Sequence, residues 1–217
     1  MDVRANALFR LDGNGGYFGR VSLVEWDGRN AIRSGAGCQG RDTLGARARN
    51  SVEHRSERIA AYGESAGGHL AATTAITGEN PSKEDLNGVP NALVLYSPAL
   101  NAQKNERFQK LVKSGQDVVS ILPEEHIRRG MPPTIILTGE LDTLIPPVAL
   151  IEFCDKMKRA HNRCELQIYP GVGHMLQAPG ETGKGGETTA RARYDALLKL
   201  DQFLASLGYL PAPKKKN

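Results

Sequence analysis

Three polar side chains in this chain could together carry out nucleophilic chemistry: Ser65, Asp142 and His174. A serine hydroxyl is a weak nucleophile near neutral pH, so it needs a base to accept its proton and a carboxylate to orient that base. Each of the three follows a strand-like apolar run, which places it at the carboxyl end of a strand. We therefore expect Ser65 to be a nucleophile, His174 its base and Asp142 the orienting acid.

The serine stands in the pentapeptide GESAG, residues 63–67, between the strand-like run RIAAY and the helix-forming run GHLAATTA. A G-x-S-x-G sequence in this context predicts a tight strand-to-helix turn, or elbow, that exposes the serine hydroxyl. Gly63 and Gly67 would be required where a Cβ would collide with neighbouring atoms, and Glu64 fills the position before the serine.

Other residues compete for the roles of base and acid. His69 lies four residues after Ser65 on the predicted helix, so we expect it to pack against the sheet or to bond locally. Glu140 is the nearest rival to Asp142, but its longer side chain stands earlier in the turn and would have to reach back. We expect the remaining histidines to be structural or solvated: His54, His126 and His161.

Transfer of an acyl group also requires hydrogen-bond donors for the oxygen that becomes negative. One expected donor is the backbone N–H of Ala66, directly after the nucleophile. Gly15 and Gly16, in the glycine-rich run of residues 11–19, are the other expected donors. The same run, DGNGG, also suits an ordinary turn, which is the alternative interpretation.

The elements that must position these groups alternate between strands and helices, which predicts a mostly parallel sheet of about six strands with helices on both faces. The predicted strands are Ala7–Leu11, Val21–Trp26, Arg58–Tyr62, Asn91–Tyr96, Thr134–Thr138 and Cys164–Tyr169. The predicted helices are Ala66–Thr77, Val148–His161 and Thr188–Leu207.

The segment Ser34–Glu57 breaks this pattern, because it is rich in Gly, Arg and Ser and has no clean period. Two parallel neighbouring strands need a long crossover connection, so a helix is expected between Trp26 and Arg58. Asp27–Arg33 could begin this helix. The segment is either a loose loop or a part of the chain altered relative to a more regular ancestor.

Composition limits the class of protein. The chain has 217 residues, 40% of them hydrophobic, and a net charge of +4, with acidic residues interleaved among the basic ones. These totals predict one domain over residues 1–217, with an irregular part at 1–57, a core at 58–210 and a solvated tail at 211–217. The sequence has no basic stripe of the kind that would indicate nucleic acid as a partner. No membrane span or signal peptide is apparent, so we expect a soluble protein, cytoplasmic or secreted.

The three cysteines have no metal-ligand spacing. We expect Cys154 and Cys164 to be free thiols, with a single bridge between them as the alternative. No metal or organic cofactor is expected. An exposed apolar sheet edge would favour association, which leaves a homodimer open.

Several stretches resemble the α/β-hydrolase esterases of the hormone-sensitive-lipase-like group, with its acetyl-esterase and carboxylesterase members. They are GGHLAA, NALVLYSPAL, PPTIILTGELDTLIP, DKMKRAHNRCELQIYPGVGH and FLASLGYL, and the likeness runs from Arg58 to Leu210. The resemblance implies the α/β-hydrolase fold, a catalytic triad at the three residues named above, and hydrolysis of short-chain carboxylic esters through an acyl-enzyme.

The amino-terminal third departs from that family, whose oxyanion loop reads His-Gly-Gly-Gly where this chain has Gly13-Asn14-Gly15-Gly16. We therefore expect a shortened or rearranged member with a reduced or absent cap. A catalytically impaired hydrolase-fold protein, or a fragment, is the main alternative. A serine peptidase is less favoured, because such relatives use large extra domains that 217 residues cannot hold.

Overall fold

The computed structural model describes residues 21–26, 32–36, 59–76, 89–100, 122–181 and 186–210. Several predictions fall outside these residues: the strand Ala7–Leu11, the donors Gly15 and Gly16, His54, most of Ser34–Glu57, and the tail at 211–217.

A six-stranded sheet organises the described residues. Its strands are β1 Val21–Trp26, β2 Ile32–Ala36, β3 Ile59–Glu64, β4 Ala92–Tyr96, β5 Thr134–Gly139 and β6 Cys164–Tyr169. They lie in the order β2-β1-β3-β4-β5-β6. Strands β3 to β6 are parallel, so their carboxyl ends meet at one edge. The predicted mostly parallel sheet is confirmed, and it is the frame that gathers the loops after β3, β5 and β6.

The amino-terminal part of the sheet differs from the prediction. Strand β1 runs antiparallel to both of its neighbours, with Val21 opposite Gly63 in β3. The segment Ile32–Ala36, which overlaps the start of the expected crossover helix, is instead strand β2. Antiparallel neighbours need no crossover helix, so the physical reason for expecting a helix over Asp27–Arg33 does not apply.

Helices cover both faces of the sheet, as predicted. They are α1 Ala66–Thr74, α2 Pro147–Arg159 and α3 Glu187–Ser206. One apolar cluster joins the sheet to α1 and α2, and a second joins the opposite face to α3 through Ala192, Ala196 and Phe203. Strand β5 is buried along its whole length, as its consecutive apolar residues predict for a strand covered on both faces.

The expectation that Cys154 and Cys164 are free thiols was wrong, and the alternative, a single bridge between them, is what the structure has. Cys154 in α2 and Cys164 in β6 form a disulfide, with 5.4 Å between their Cα atoms. Helix α2 packs directly against β6, which brings the two Cα atoms into the range that a disulfide requires. The spacing of ten residues did not reveal this contact, because it depends on how the helix folds back onto the strand.

Among the described residues, no helix is long and apolar enough to cross a membrane.

Candidate active site

Ser65 occupies a strained turn between β3 and α1. Its backbone angles are φ 51° and ψ −119°, a conformation that non-glycine residues seldom adopt. Its N–H donates to the carbonyl of Tyr96 at 2.8 Å, and its own carbonyl accepts from the N–H of Ala99 at 3.1 Å. Such strain persists only when the surroundings fix it, and here both backbone groups of the serine are bonded. The predicted elbow is therefore present.

Two glycines allow the elbow to close. A Cβ on Gly63 would overlap the backbone carbonyl of Gly67, so no other residue fits at position 63 without displacing the turn. A Cβ on Gly68 would lie 2.6 Å from the Cβ of Pro98. Gly68 is not among the predicted elbow residues, because its neighbour Pro98 lies on a different loop and sequence spacing does not show that contact.

The structure brings Ser65, His174 and Asp142 together. The Nε2 atom of His174 lies 2.9 Å from the Oγ of Ser65, and its Nδ1 lies 2.9 Å from Oδ2 of Asp142. An ionised carboxylate can only accept, so Nδ1 carries the proton and donates it, which leaves Nε2 to accept the hydrogen of the serine hydroxyl. The Asp142 side chain is fully buried, whereas that of His174 is 22% exposed. Solvent therefore reaches the histidine but not the acid.

The second oxygen of Asp142 is also occupied. Oδ1 accepts the backbone N–H groups of Leu144 at 3.0 Å and Ile145 at 2.8 Å. The carboxylate is thus held from both sides and presents one oxygen to the histidine. The rival acid Glu140 is exposed, and its carboxylate lies 3.4 Å from the backbone nitrogen of Gly171. Asp142, not Glu140, contacts His174.

The loop that carries His174 packs against the end of β5. A Cβ on Gly139 would overlap the carbonyl oxygens of Val172 and Gly173, so the loop approaches the strand at a distance that only glycine permits. The N–H of Leu141 donates to the carbonyl of Val172 at 2.9 Å. This hydrogen bond holds the loop that carries Asp142 next to the loop that carries His174.

The other histidines lie elsewhere. The Nδ1 atom of buried His69 lies 3.1 Å from the carbonyl oxygen of Ala99. Burial lowers the pKa of His69, although its bond to Ala99 acts in the opposite direction. His126 ends a 3-10 turn at Pro123–His126, and His161 is exposed just after α2. None of these three is bonded to the hydroxyl of Ser65 in the described structure.

Glu64, the residue before the nucleophile, takes part in a tyrosine cluster. Its carboxylate accepts the hydroxyl of Tyr62, whose ring centroid lies 5.6 Å from that of Tyr96. Burial, together with the negative charges of Glu64 and Asp201, raises the pKa of Tyr96 to about 12. These tyrosines pack with the α3 cluster.

The family model for prolyl oligopeptidases matches residues 48–199, more than half of the chain. The chain belongs to the prolyl oligopeptidase family. Solved structures of an esterase from the planctomycete Thermogutta terrifontis also match. Its apo form is 34% identical with a TM-score of 0.59, covering 73% of this chain and 58% of that one. The form phosphorylated by paraoxon is 34% identical with a TM-score of 0.58, covering 73% and 56%. The native form is 32% identical with a TM-score of 0.58, covering 74% and 58%.

The chain thus spans less than two thirds of the length of these esterase structures. No curated protein sequence matches it. The family match and the esterase structures confirm the α/β-hydrolase fold and the resemblance to α/β-hydrolase esterases. The finer assignment to the hormone-sensitive-lipase-like group stays a prediction.

The remaining predicted site residues are the oxyanion donors. Ala66 is the first residue of α1, where backbone N–H groups have no acceptor within the helix. Its N–H therefore stands directly beside the nucleophile in sequence and can serve an oxygen of a ligand. Gly15 and Gly16 lie outside the described residues. The described part of the chain contains no cluster of His, Cys, Asp and Glu suited to a metal ion.

Proposed function

We propose that the protein is a serine carboxylic-ester hydrolase that works through an acyl-enzyme at Ser65. The observation that carries this proposal is the unbroken chain of two 2.9 Å contacts from Ser65 through His174 to Asp142. The similarity to esterase structures supports ester hydrolysis as the reaction of this site.

In the proposed mechanism, Ser65 Oγ attacks the ester carbonyl while Nε2 of His174 takes its proton. The imidazolium that forms is stabilised by the buried carboxylate of Asp142, which remains ionised. His174 then gives the proton to the departing alcohol. In the second half, His174 activates a water molecule that attacks the acyl group, and the acid leaves Ser65 with its hydroxyl restored.

The developing oxyanion needs donors. We assign one to the backbone N–H of Ala66, whose place at the first turn of α1 also puts it at the positive end of the helix dipole. Gly15 and Gly16 remain the proposed source of the others.

Short acyl groups are the proposed substrate class. Structures of the Thermogutta esterase hold propionate and butyrate, which favours small acyl groups for a site of similar architecture. A peptidase is the second candidate, because the family takes its name from prolyl oligopeptidase.

The test is hydrolysis of p-nitrophenyl acetate and butyrate by the wild type and by Ser65→Ala, beside a prolyl-p-nitroanilide peptide. A fluorophosphonate probe with mass spectrometry locates the reactive serine. We expect loss of ester turnover in Ser65→Ala and a single adduct on Ser65. Ser206→Ala, at the exposed end of α3, is the matched control and should retain full turnover.

A folded wild type without turnover and without an adduct would contradict the proposal and favour a catalytically impaired protein. Faster cleavage of the peptide than of either ester would favour the peptidase.

A further inference from the structure

One turn that contains none of Ser65, His174 and Asp142 contacts both the elbow of Ser65 and the loop of His174. This bridging turn, residues 96–99, begins at the last residue of strand β4. On one side it holds the nucleophile, because the carbonyl of Tyr96 accepts the N–H of Ser65 and the N–H of Ala99 donates to the carbonyl of Ser65. The elbow is thus fixed to the bridging turn through the backbone at two points.

On its other side the bridging turn holds the histidine loop through one side chain. The Oγ of Ser97 accepts the backbone N–H of Met175 at 3.1 Å, and Met175 directly follows His174. Ser97 is completely buried, so water does not compete for this bond. The two residues are 78 positions apart in the chain.

The hydroxyl of Ser97 is itself oriented. Its oxygen lies 3.4 Å from the Oγ1 of Thr138, which is also completely buried, near the end of β5. Because the Ser97 oxygen accepts from Met175, its own hydrogen is free to point towards Thr138. The N–H of Ser97 donates to the carbonyl of Leu137 at 2.9 Å. Ser97 therefore has little freedom to move away from Met175.

Both ends of this bond have unusual backbones. Ser97 has φ 40° and Met175 has φ 58°, both in the left-handed region that favours glycine. Conformations of this kind cost free energy and are kept only where neighbouring contacts hold them. At Met175 the bond from its N–H to Ser97 is such a contact.

We infer that Ser97 is a positioning residue: its buried hydroxyl anchors the amide of Met175 and so fixes His174 in register with Ser65. This inference rests on the proposed function. Without the anchor, the histidine loop can shift relative to the elbow, and a displacement of about 1 Å at a catalytic group can lower the rate about 100-fold. Because Ser97 is completely buried, it has no surface on which to contact a substrate, and substrate binding should change little.

The test compares Ser97→Ala and Ser97→Gly with the wild type. Alanine removes the hydroxyl and keeps the strained backbone, whereas glycine removes both the hydroxyl and the strain. We expect kcat for p-nitrophenyl acetate to fall tenfold to 100-fold in both variants, with KM changed less than threefold. Thr134→Val is the matched control: it deletes a buried hydroxyl that donates to the carbonyl of Pro132 at the other end of β5. The control should keep its kcat.

A second arm shows whether Ser97 acts through the histidine. The rate of fluorophosphonate labelling of Ser65 is measured in wild type, Ser97→Ala, His174→Ala and the double variant. We expect Ser97→Ala to slow labelling in the wild-type background and to have no further effect once His174 is absent. An equal effect in both backgrounds would overturn the inference.

Amide hydrogen exchange at Met175 tests the anchor without any turnover. We expect faster exchange in Ser97→Ala than in the wild type, because the amide loses its acceptor. Unchanged exchange, or a kcat within twofold of wild type in both Ser97 variants, would overturn the inference. A wild type with no esterase activity would instead contradict the proposed function. The exchange measurement would then test by itself whether Ser97 anchors the amide of Met175.

Discussion

The Oγ of Ser65 and the Nε2 of His174 lie 2.9 Å apart, yet the chain positions the two residues by different means. The turn that carries the serine is built from contiguous residues, since Gly63 permits it and α1 begins directly after Ser65, and residues 96–99 then bond its backbone. The histidine is set by distant partners, since Gly139 makes room for its loop and Ser97 bonds the residue after it. A serine on a turn of contiguous residues and a histidine on a loop positioned by distant residues thus form one site.

The difference predicts different modes of failure. A change at the elbow acts on the junction of a central strand with its helix, so it should damage the fold itself. A change beneath the histidine loop acts on a loop that packs on the end of the sheet, so it should damage the alignment of the site before the fold. Mutations on the two sides can therefore separate stability from activity.

The largest effect is expected for Gly63→Ala. Its new Cβ would overlap the backbone carbonyl of Gly67, and backbone atoms at a strand-helix junction cannot move aside cheaply. We expect a loss of at least about 3 kcal/mol in the free energy of unfolding, measured by urea denaturation, with activity lost as well.

Gly208→Ala is the control for this substitution. Gly208 has φ 77° and its Cβ would meet no atom within 4 Å, so only backbone strain of about 1–2 kcal/mol is expected. Equal destabilisation by the two substitutions would show that the elbow tolerates a side chain at position 63.

An intermediate effect is expected for Gly139→Ala, which pushes on the histidine loop. The added Cβ would overlap the carbonyls of Val172 and Gly173, and the loop can shift outwards to relieve this. We expect a cooperative unfolding transition to remain, with a cost of about 1–3 kcal/mol, while kcat for p-nitrophenyl acetate falls about 100-fold. Loss of stability without loss of turnover would remove the distinction between the two sides.

The smallest effect is expected for His69 in α1, on the elbow side, as a pH dependence of the free energy of unfolding. Burial lowers the pKa of His69 in the folded state below the ordinary value near 6.5, so the unfolded chain binds this proton more readily. Protonation of His69 therefore does not reduce the free energy of unfolding above pH 6.5, and it reduces this free energy progressively as the pH falls below 6.5. For one proton the slope is at most about 1.4 kcal/mol per pH unit.

His69→Asn removes the titrating group and keeps an amide that can donate to the carbonyl of Ala99. We expect the free energy of unfolding, measured by urea denaturation between pH 7.5 and 5, to decline less steeply in this variant than in the wild type. Parallel curves for the two proteins would contradict the assignment of this slope to His69.

The same division between local and remote determinants explains how far the sequence could be interpreted. The run TIILT predicted β5 to within one residue, because consecutive apolar residues suit a strand buried on both faces. The elbow could be predicted because its strand, glycines and helix are contiguous. The proximity of Asp142 and His174 followed from each lying past its own strand in a parallel sheet.

Remote determinants escaped prediction. Strand β2 has the sequence IRSGA, which has no strand-like pattern and becomes a strand through its pairing with β1. The disulfide between Cys154 and Cys164 depends on how α2 returns to β6. Ser97 lies in LYSPAL, where nothing in the spacing marks it, and its bond to Met175 is what indicates a role.

The bridging turn also has a consequence for engineering substrate preference in this scaffold. Designers can vary the side chain of Leu144, which is 52% exposed, but should keep the length of its loop, because the backbone N–H groups of Leu144 and Ile145 bond Oδ1 of Asp142. The length of residues 96–99 is constrained for a similar reason. Even a one-residue insertion there would change the spacing between the groups that hold Ser65 and the hydroxyl that holds Met175, so libraries should leave this turn at its present length.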